Sequence, residues 1–147
     1  MKTNVISIMG WSFLLASIVF SPIYAADYLG EVTAVDDGDS FHMRVDGKGL
    51  HVRLCGIDSP ERGQPGYGHA AGALASMIEG KQVHCLQVGE GTPCDGRSSA
   101  FNRDRIVAQC FIGDKDIAFE MVRSKQACDW PRFSNGYYKR DPATCQR

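Results

Sequence analysis

Between residues 40 and 45, Phe41, Met43 and Val45 alternate with polar neighbours. This is the period-two signature of a strand with one buried face. Residues 29–35, with Val32 and Ala34 alternating, predict a strand before it, and residues 50–57 predict one after it. Asp46-Gly47-Lys48-Gly49 between the second and third reads as a hairpin turn. Residues 82–88 repeat the alternation with Val83, Cys85 and Gln87 on one face, and residues 105–112 form a fifth, more continuously apolar run. Two stretches are helical in pattern. Residues 69–79 are rich in Ala, Leu and Met and are stopped by Gly80. Residues 116–125 carry Ile117, Phe119, Met121 and Val122 at helical spacing. Residues 63–68, dominated by Gly and Pro, and the polar, Gly-rich residues 89–100 predict loops. The segment beyond 125 is irregular and aromatic. Three strands, a helix, two strands and a helix make an α+β pattern. A small Greek-key barrel with helices across its open parts closes such a set economically.

The first 25 residues stand outside that pattern. After Lys2 no charge occurs until Asp27, and residues 5–20 are mostly apolar. Ser21-Pro22 breaks the run and Ile23-Tyr24-Ala25-Ala26 offers small residues for cleavage. This predicts a secretory signal peptide over 1–25. The other reading is an uncleaved anchor, although the run is short for a bilayer span of about 20 apolar residues. Residues 26–147 then form one domain with one core. Six cysteines (Cys55, Cys85, Cys94, Cys110, Cys128 and Cys145) lack the two-residue spacing of a zinc knuckle. An even count behind a signal peptide favours disulfides in an oxidising compartment, the periplasm or the outside of the cell. Cys85 and Cys110 lie in the two strands that flank the polar loop, and antiparallel pairing of those strands would bring them together. Of the remainder, loop Cys94 and tail Cys145 are the freer to meet.

The net charge of −1 gives no broad basic footprint of the kind that nucleic-acid binders display. It leaves room for an enzyme that grips one phosphate locally and bridges it with a cation. Two acidic turns supply candidates. Asp37-Gly38-Asp39 sets two carboxylates around a glycine that can take positive φ. Asp58-Ser59-Pro60-Glu61 ends an apolar strand, where unpaired carboxylates are rare. Carboxylates in two turns can share a hard cation. Arg53 and Arg105 are candidates for a bidentate phosphate grip. Parity raises an objection: side chains alternate along a strand, so Arg53 and Asp58 belong on opposite faces unless the strand twists or breaks near Ile57. The aromatic tail, with Trp130, Phe133, Tyr137 and Tyr138 among Arg132, Lys139 and Arg140, suits either base stacking or packing against the barrel. His42, His51, His69 and His84 show no ligand spacing and read as surface or structural.

Asp37-Gly38-Asp39-Ser40, then Arg53-Leu54 with Gly56-Ile57-Asp58-Ser59-Pro60-Glu61, then Arg103-Asp104-Arg105 with Val107-Ala108, resemble the staphylococcal nuclease (thermonuclease) family. Residues 118–122, Arg123 and Ala127 fit as well. The resemblance implies a five-stranded oligonucleotide/oligosaccharide-binding (OB-fold) barrel with two or three helices, and calcium-dependent hydrolysis of DNA or RNA by an exported monomer with no stable membrane association once the signal is cleaved. Carried over position by position, it makes Asp39, Asp58 and the backbone carbonyl of Ser59 calcium ligands, with Asp37 supporting. It makes Arg53, Glu61 and Arg105 the catalytic trio. The chain departs from the family where Phe101-Asn102-Arg103-Asp104 precedes Arg105: the tyrosine expected to touch substrate is Arg103 here. The rival reading is a barrel that binds nucleic acid or a protein partner without catalysis; the presence of the whole trio and both metal carboxylates argues against it.

Overall fold

A computed structural model describes residues 26–139. The predicted signal peptide, Arg140 and Cys145 lie outside the described residues. The elements are β1 (Asp27–Val35), β2 (Ser40–Val45), β3 (Lys48–Leu54), β4 (Ile57–Asp58), α1 (Tyr67–Ile78), β5 (Gln82–Gln87), β6 (Phe101–Asn102), β7 (Arg105–Ile112), β8 (Lys115–Asp116), α2 (Ile117–Arg123), β9 (Cys128–Asp129) and α3 (Pro131–Ser134). Strands pair in the order β3-β2-β1-β5-β7, and β7 returns to pair with β3, in parallel, to close a five-stranded barrel. The fold is an α+β OB-fold. Closure leaves the five main strands without a free edge, which removes the usual route to edge-to-edge association.

The β2–β3 hairpin turns on Asp46 and Gly47, at φ 48° and 77°. Positive φ at both central residues matches the twist of the flanking strands. Phe41, Met43, Val52, Leu54 and Val83 are fully buried inside the barrel. From α1, Leu74 and Ile78 close one opening, and from α2, Ile117 and Met121 join the same core. Asp116 caps α2 by accepting a hydrogen bond from Phe119 N–H.

β7 is buried from Ile106 through Cys110 without alternation, because both its faces are covered. The inner face meets the core. The outer face, through Val107, meets a second cluster with Cys55, Val88 and Cys94. That cluster is held by a Cys55–Cys94 disulfide, so Cys94 is not left for Cys145. Cys85 and Cys110 sit directly opposite each other in the β5–β7 register and are bonded, as predicted. Cys128 is disulfide-bonded too.

Three expectations need correction. Val32 is buried but Ala34 is exposed: the β1–β2 register slips between them, a bulge that reverses the parity of the strand end. The third strand stops at Leu54 rather than running to Ile57, because Cys55-Gly56 makes a turn with Gly56 at φ 74°. The segment past 125 is not wholly irregular, since Cys128–Asp129 pairs with Ile57–Asp58 and a short helix follows.

Candidate active site

The turn between β1 and β2 builds one wall. Asp37 Oδ1 accepts from Asp39 N–H at 2.9 Å, and Asp36 N–H donates to Ser40 O at 3.0 Å. Gly38 does not take the positive φ expected of it. It is needed for close approach: a Cβ there would lie 2.7 Å from Ala70 Cβ and 2.8 Å from Ser59 Cβ. The acidic turn is thus pressed against both α1 and the start of the second acidic motif.

Asp39 points inward from this turn and is only 2% exposed. Its Oδ2 accepts from Ser59 N–H at 2.8 Å. Its Oδ1 takes Ser40 Oγ–H at 3.2 Å and Arg53 Nε at 3.1 Å. Burial pushes its pKa up to about 7; the Arg53 guanidinium and the Ser59 N–H pull down, and the neighbouring Asp37 pushes up. Desolvation wins because it acts on the whole charged carboxylate, while a single guanidinium at 3.1 Å returns only part of the lost hydration.

Arg53 lies opposite Ser40 in the β2–β3 register. Besides Asp39, it donates to Leu54 O at 2.5 Å and to Ile57 O at 2.8 Å. Those carbonyls stand on either side of the Cys55-Gly56 turn, so the guanidinium clamps the very break that answers the parity objection. Arg53 and Asp58 do not share one regular strand: β3 has ended, and Asp58 belongs to β4, where it is half-buried opposite Cys128. A Cβ on Gly56 would lie 2.8 Å from Ser134 Cβ and 3.1 Å from Cys94 Sγ. Only glycine suits both the φ and the space.

Arg105 enters from the start of β7. Its Nη1 donates to Ser40 Oγ at 2.9 Å, and its Nη2 to Asn102 Oδ1 at 3.3 Å. Ser40 Oγ therefore accepts from Arg105 while donating to Asp39, and a continuous line of bonds runs Arg105–Ser40–Asp39–Arg53. The fold brings Asp37, Asp39, Arg53, Arg105 and the Ser59 backbone into one bonded set. Glu61 is exposed on the loop after β4; its backbone N–H bonds Gln64 Oε1, and its side chain stands outside the set. Ser40 and Asn102 are the members that sequence reasoning passed over. Ser40 had a signal: it directly follows Asp39 in a strand predicted to pair with the one carrying Arg53. Arg103, in the tyrosine's place, is exposed at the β6–β7 turn with φ 58°.

The oxygen donors of Asp37, Asp39, Asp58 and the Ser59 carbonyl fit a hard cation such as calcium in chemistry. Asp39 Oδ1 already accepts two bonds, but Oδ2 accepts one and keeps a lone pair. A carboxylate held near neutrality by burial is one that a cation would stabilise in its charged form.

Beside Arg53 opens a cleft of about 210 Å³ lined by Phe101, Asn102, Trp130 and Phe133. Trp130 is 40% exposed and meets Phe133 edge to face at 4.7 Å between centroids. Tyr138 is fully buried in the core instead. The two readings of the aromatic tail thus divide: Tyr138 packs, and Trp130 lines the cleft.

No family model matches the chain. The chain is 30% identical to a Komagataella phaffii protein named "Probable endonuclease LCL3", across 65% of this chain and 52% of that one. It is 32% identical to a "Micrococcal nuclease" of Shigella flexneri, across 59% and 49%. An "Uncharacterized endonuclease" of Escherichia coli is 37% identical, across 47% and 46%. The chain spans about half the length of these curated relatives. Barrel and relatives agree: in fold and in sequence the chain is similar to the staphylococcal nuclease family.

Proposed function

We propose that the chain is an exported, calcium-dependent nuclease that hydrolyses phosphodiester bonds of DNA, RNA or both, acting as a monomer in the periplasm or outside the cell. The observation that carries this reading is the line of bonds Arg105–Ser40–Asp39–Arg53, which holds two guanidiniums around a buried carboxylate at the rim of the barrel. The disulfides Cys55–Cys94 and Cys85–Cys110 suit an oxidising compartment.

Asp39, Asp58 and the Ser59 carbonyl would hold the calcium, with Asp37 bracing Asp39 by accepting its backbone N–H. Bound there, calcium supplies Lewis-acid polarisation of a phosphoryl oxygen. Arg53 spends three of its five N–H donors on Asp39, Leu54 O and Ile57 O, which leaves two for a phosphate. Arg105 spends two, on Ser40 and Asn102, and keeps three. Both guanidiniums are oriented before substrate arrives and oppose the charge that grows on the phosphoryl oxygens in the transition state. Glu61, exposed on the loop after β4, accepts the proton of the attacking water. Trp130 and Phe133 offer a stacking face to an unpaired base beside the scissile phosphate.

The test is digestion of single- and double-stranded DNA and RNA with calcium and with a chelator, using wild type and Glu61→Gln. Cleavage that requires calcium and collapses in Glu61→Gln supports the assignment. Full activity in excess chelator removes calcium, and unimpaired turnover in Glu61→Gln removes its role as base. Binding without cleavage under every condition replaces the enzyme with a non-catalytic nucleic-acid module.

A further inference from the structure

The histidines set aside on sequence spacing do not all stand apart in space. The β2–β3 register places His42 directly opposite His51, on the face away from the buried Phe41 and Val52. Their rings stack at 4.0 Å between centroids, 18° from parallel. The bulge in β1 carries the chain to Asp36, whose Oδ2 lies 3.1 Å from His42 Nε2 and 2.9 Å from His51 Nε2. Linear spacing hides this group, because its members come from one turn and two strands.

We propose that Asp36, His42 and His51 form a site for a divalent transition metal of the zinc class, separate from the carboxylate site of Asp39 and Asp58. The three donor atoms lie within 4.8 Å of one another. A tetrahedral zinc with bonds of about 2.0–2.1 Å spaces its donors by roughly 3.3 Å, and the contacts at Asp36 are 2.9 and 3.1 Å. The donor type discriminates as well: two imidazoles and one carboxylate suit zinc, copper or nickel, whereas calcium takes oxygen.

Two further features separate this group from a simple ion pair. Asp36 Oδ2 and His51 Nε2 are shielded from solvent, yet neither has a hydrogen-bond partner despite their 2.9 Å separation. The atoms face one another without the alignment of a hydrogen bond, and a shared metal would satisfy both. Moreover, His51 turns its other nitrogen, Nδ1, toward Asp104 Oδ2 at 3.5 Å. Metal-bound histidines typically present their second ring nitrogen to a carboxylate, which fixes the tautomer.

The Asp36 backbone is fixed on both sides, whereas the two stacked imidazoles, 18° from parallel, must turn about χ2 for their Nε2 lone pairs to converge on one ion. Asp36 O accepts from Tyr67 Oη–H at 2.7 Å and Asp36 N–H donates to Ser40 O at 3.0 Å. Water would complete the four-coordinate shell of a bound zinc.

The experiment is calorimetric titration of untagged, metal-stripped protein with zinc chloride, in buffer holding millimolar calcium. One zinc per chain is expected, undisturbed by calcium. His42→Ala and His51→Ala should each weaken binding about tenfold or more, while His69→Ala, on α1, should not. Retained far-ultraviolet circular dichroism without zinc shows that each variant folds. Should one fail to fold, cobalt titration of the wild type decides through the intense visible bands of a tetrahedral site. Absence of zinc binding, displacement by calcium, wild-type affinity in the histidine variants or a weak octahedral cobalt spectrum would each overturn the proposal.

Discussion

Arg53 and Arg105 play matched parts in the proposed chemistry, but the fold treats them differently, and that difference can be measured. Arg53→Ala removes a guanidinium that is bonded to Asp39, Leu54 O and Ile57 O, and its side chain is 12% exposed. The loss leaves a buried carboxylate without its charged partner and frees the carbonyls that frame the Cys55-Gly56 turn. Breaking a buried pair from one side costs about 3–5 kcal/mol. Arg105→Ala removes bonds to the neutral Ser40 Oγ and Asn102 Oδ1 at a half-buried position, worth about 1–2 kcal/mol. With a urea slope of about 1.5 kcal/mol/M, Arg53→Ala should lower the unfolding midpoint by about 2–3 M and Arg105→Ala by about 1 M. Both should depress turnover on DNA steeply. The gap between Arg53→Ala and wild type should widen as pH rises through about 7, where Asp39 ionises, because Arg53 helps only the charged form. Equal losses in the two variants, or a loss below about 1 kcal/mol for Arg53→Ala, the scale of an exposed pair, would refute the clamp.

Asp39 has its pKa raised from 3.8 to about 7 by burial, so the folded, calcium-free protein holds a proton there that the unfolded chain has released. The stability this group contributes is complete below about pH 4 and is lost as pH rises to about 7, on the order of 4 kcal/mol at most. Thermal unfolding of wild type against Asp39→Asn in chelator should show that pH-dependent difference, and calcium should stabilise wild type more at pH 8 than at pH 5; parallel curves would refute it. The paired replacements Cys85→Ala with Cys110→Ala and Cys55→Ala with Cys94→Ala open loops with sequence separations of 25 and 39 residues, about 3.5 and 3.9 kcal/mol in the chain-entropy account. The second pair should also impair nuclease activity in the protein that remains folded, since Cys55 belongs to the turn that Arg53 clamps. Intact activity in that variant would show that the turn holds without its staple.

Period-two alternation at Phe41, Met43 and Val45, and at Val83 and Cys85, was sufficient to locate β2 and β5, and the run over 105–112 to locate β7. These are short-range patterns: a strand with one buried face writes that face every second residue, wherever the strand later goes. The Cys85–Cys110 bond was legible for the same reason, since two flanking strands in register need little more than pairing. The chemical identities of Asp39, Asp58, Arg53, Glu61 and Arg105 were legible as residue types in order. The assembly of Asp39, Arg53 and Arg105 into one bonded line was not. It depends on the bulge between Val32 and Ala34, on the break at Gly56 and on the parallel closure of β3 with β7. Each of these interrupts or joins strands through contacts distant in sequence, so no local period records it. The burial that lifts Asp39 toward neutrality arises from Ser59 and the barrel closing over it. The meeting of Asp36, His42 and His51 arises from a cross-strand register, which a spacing rule along the chain does not sample.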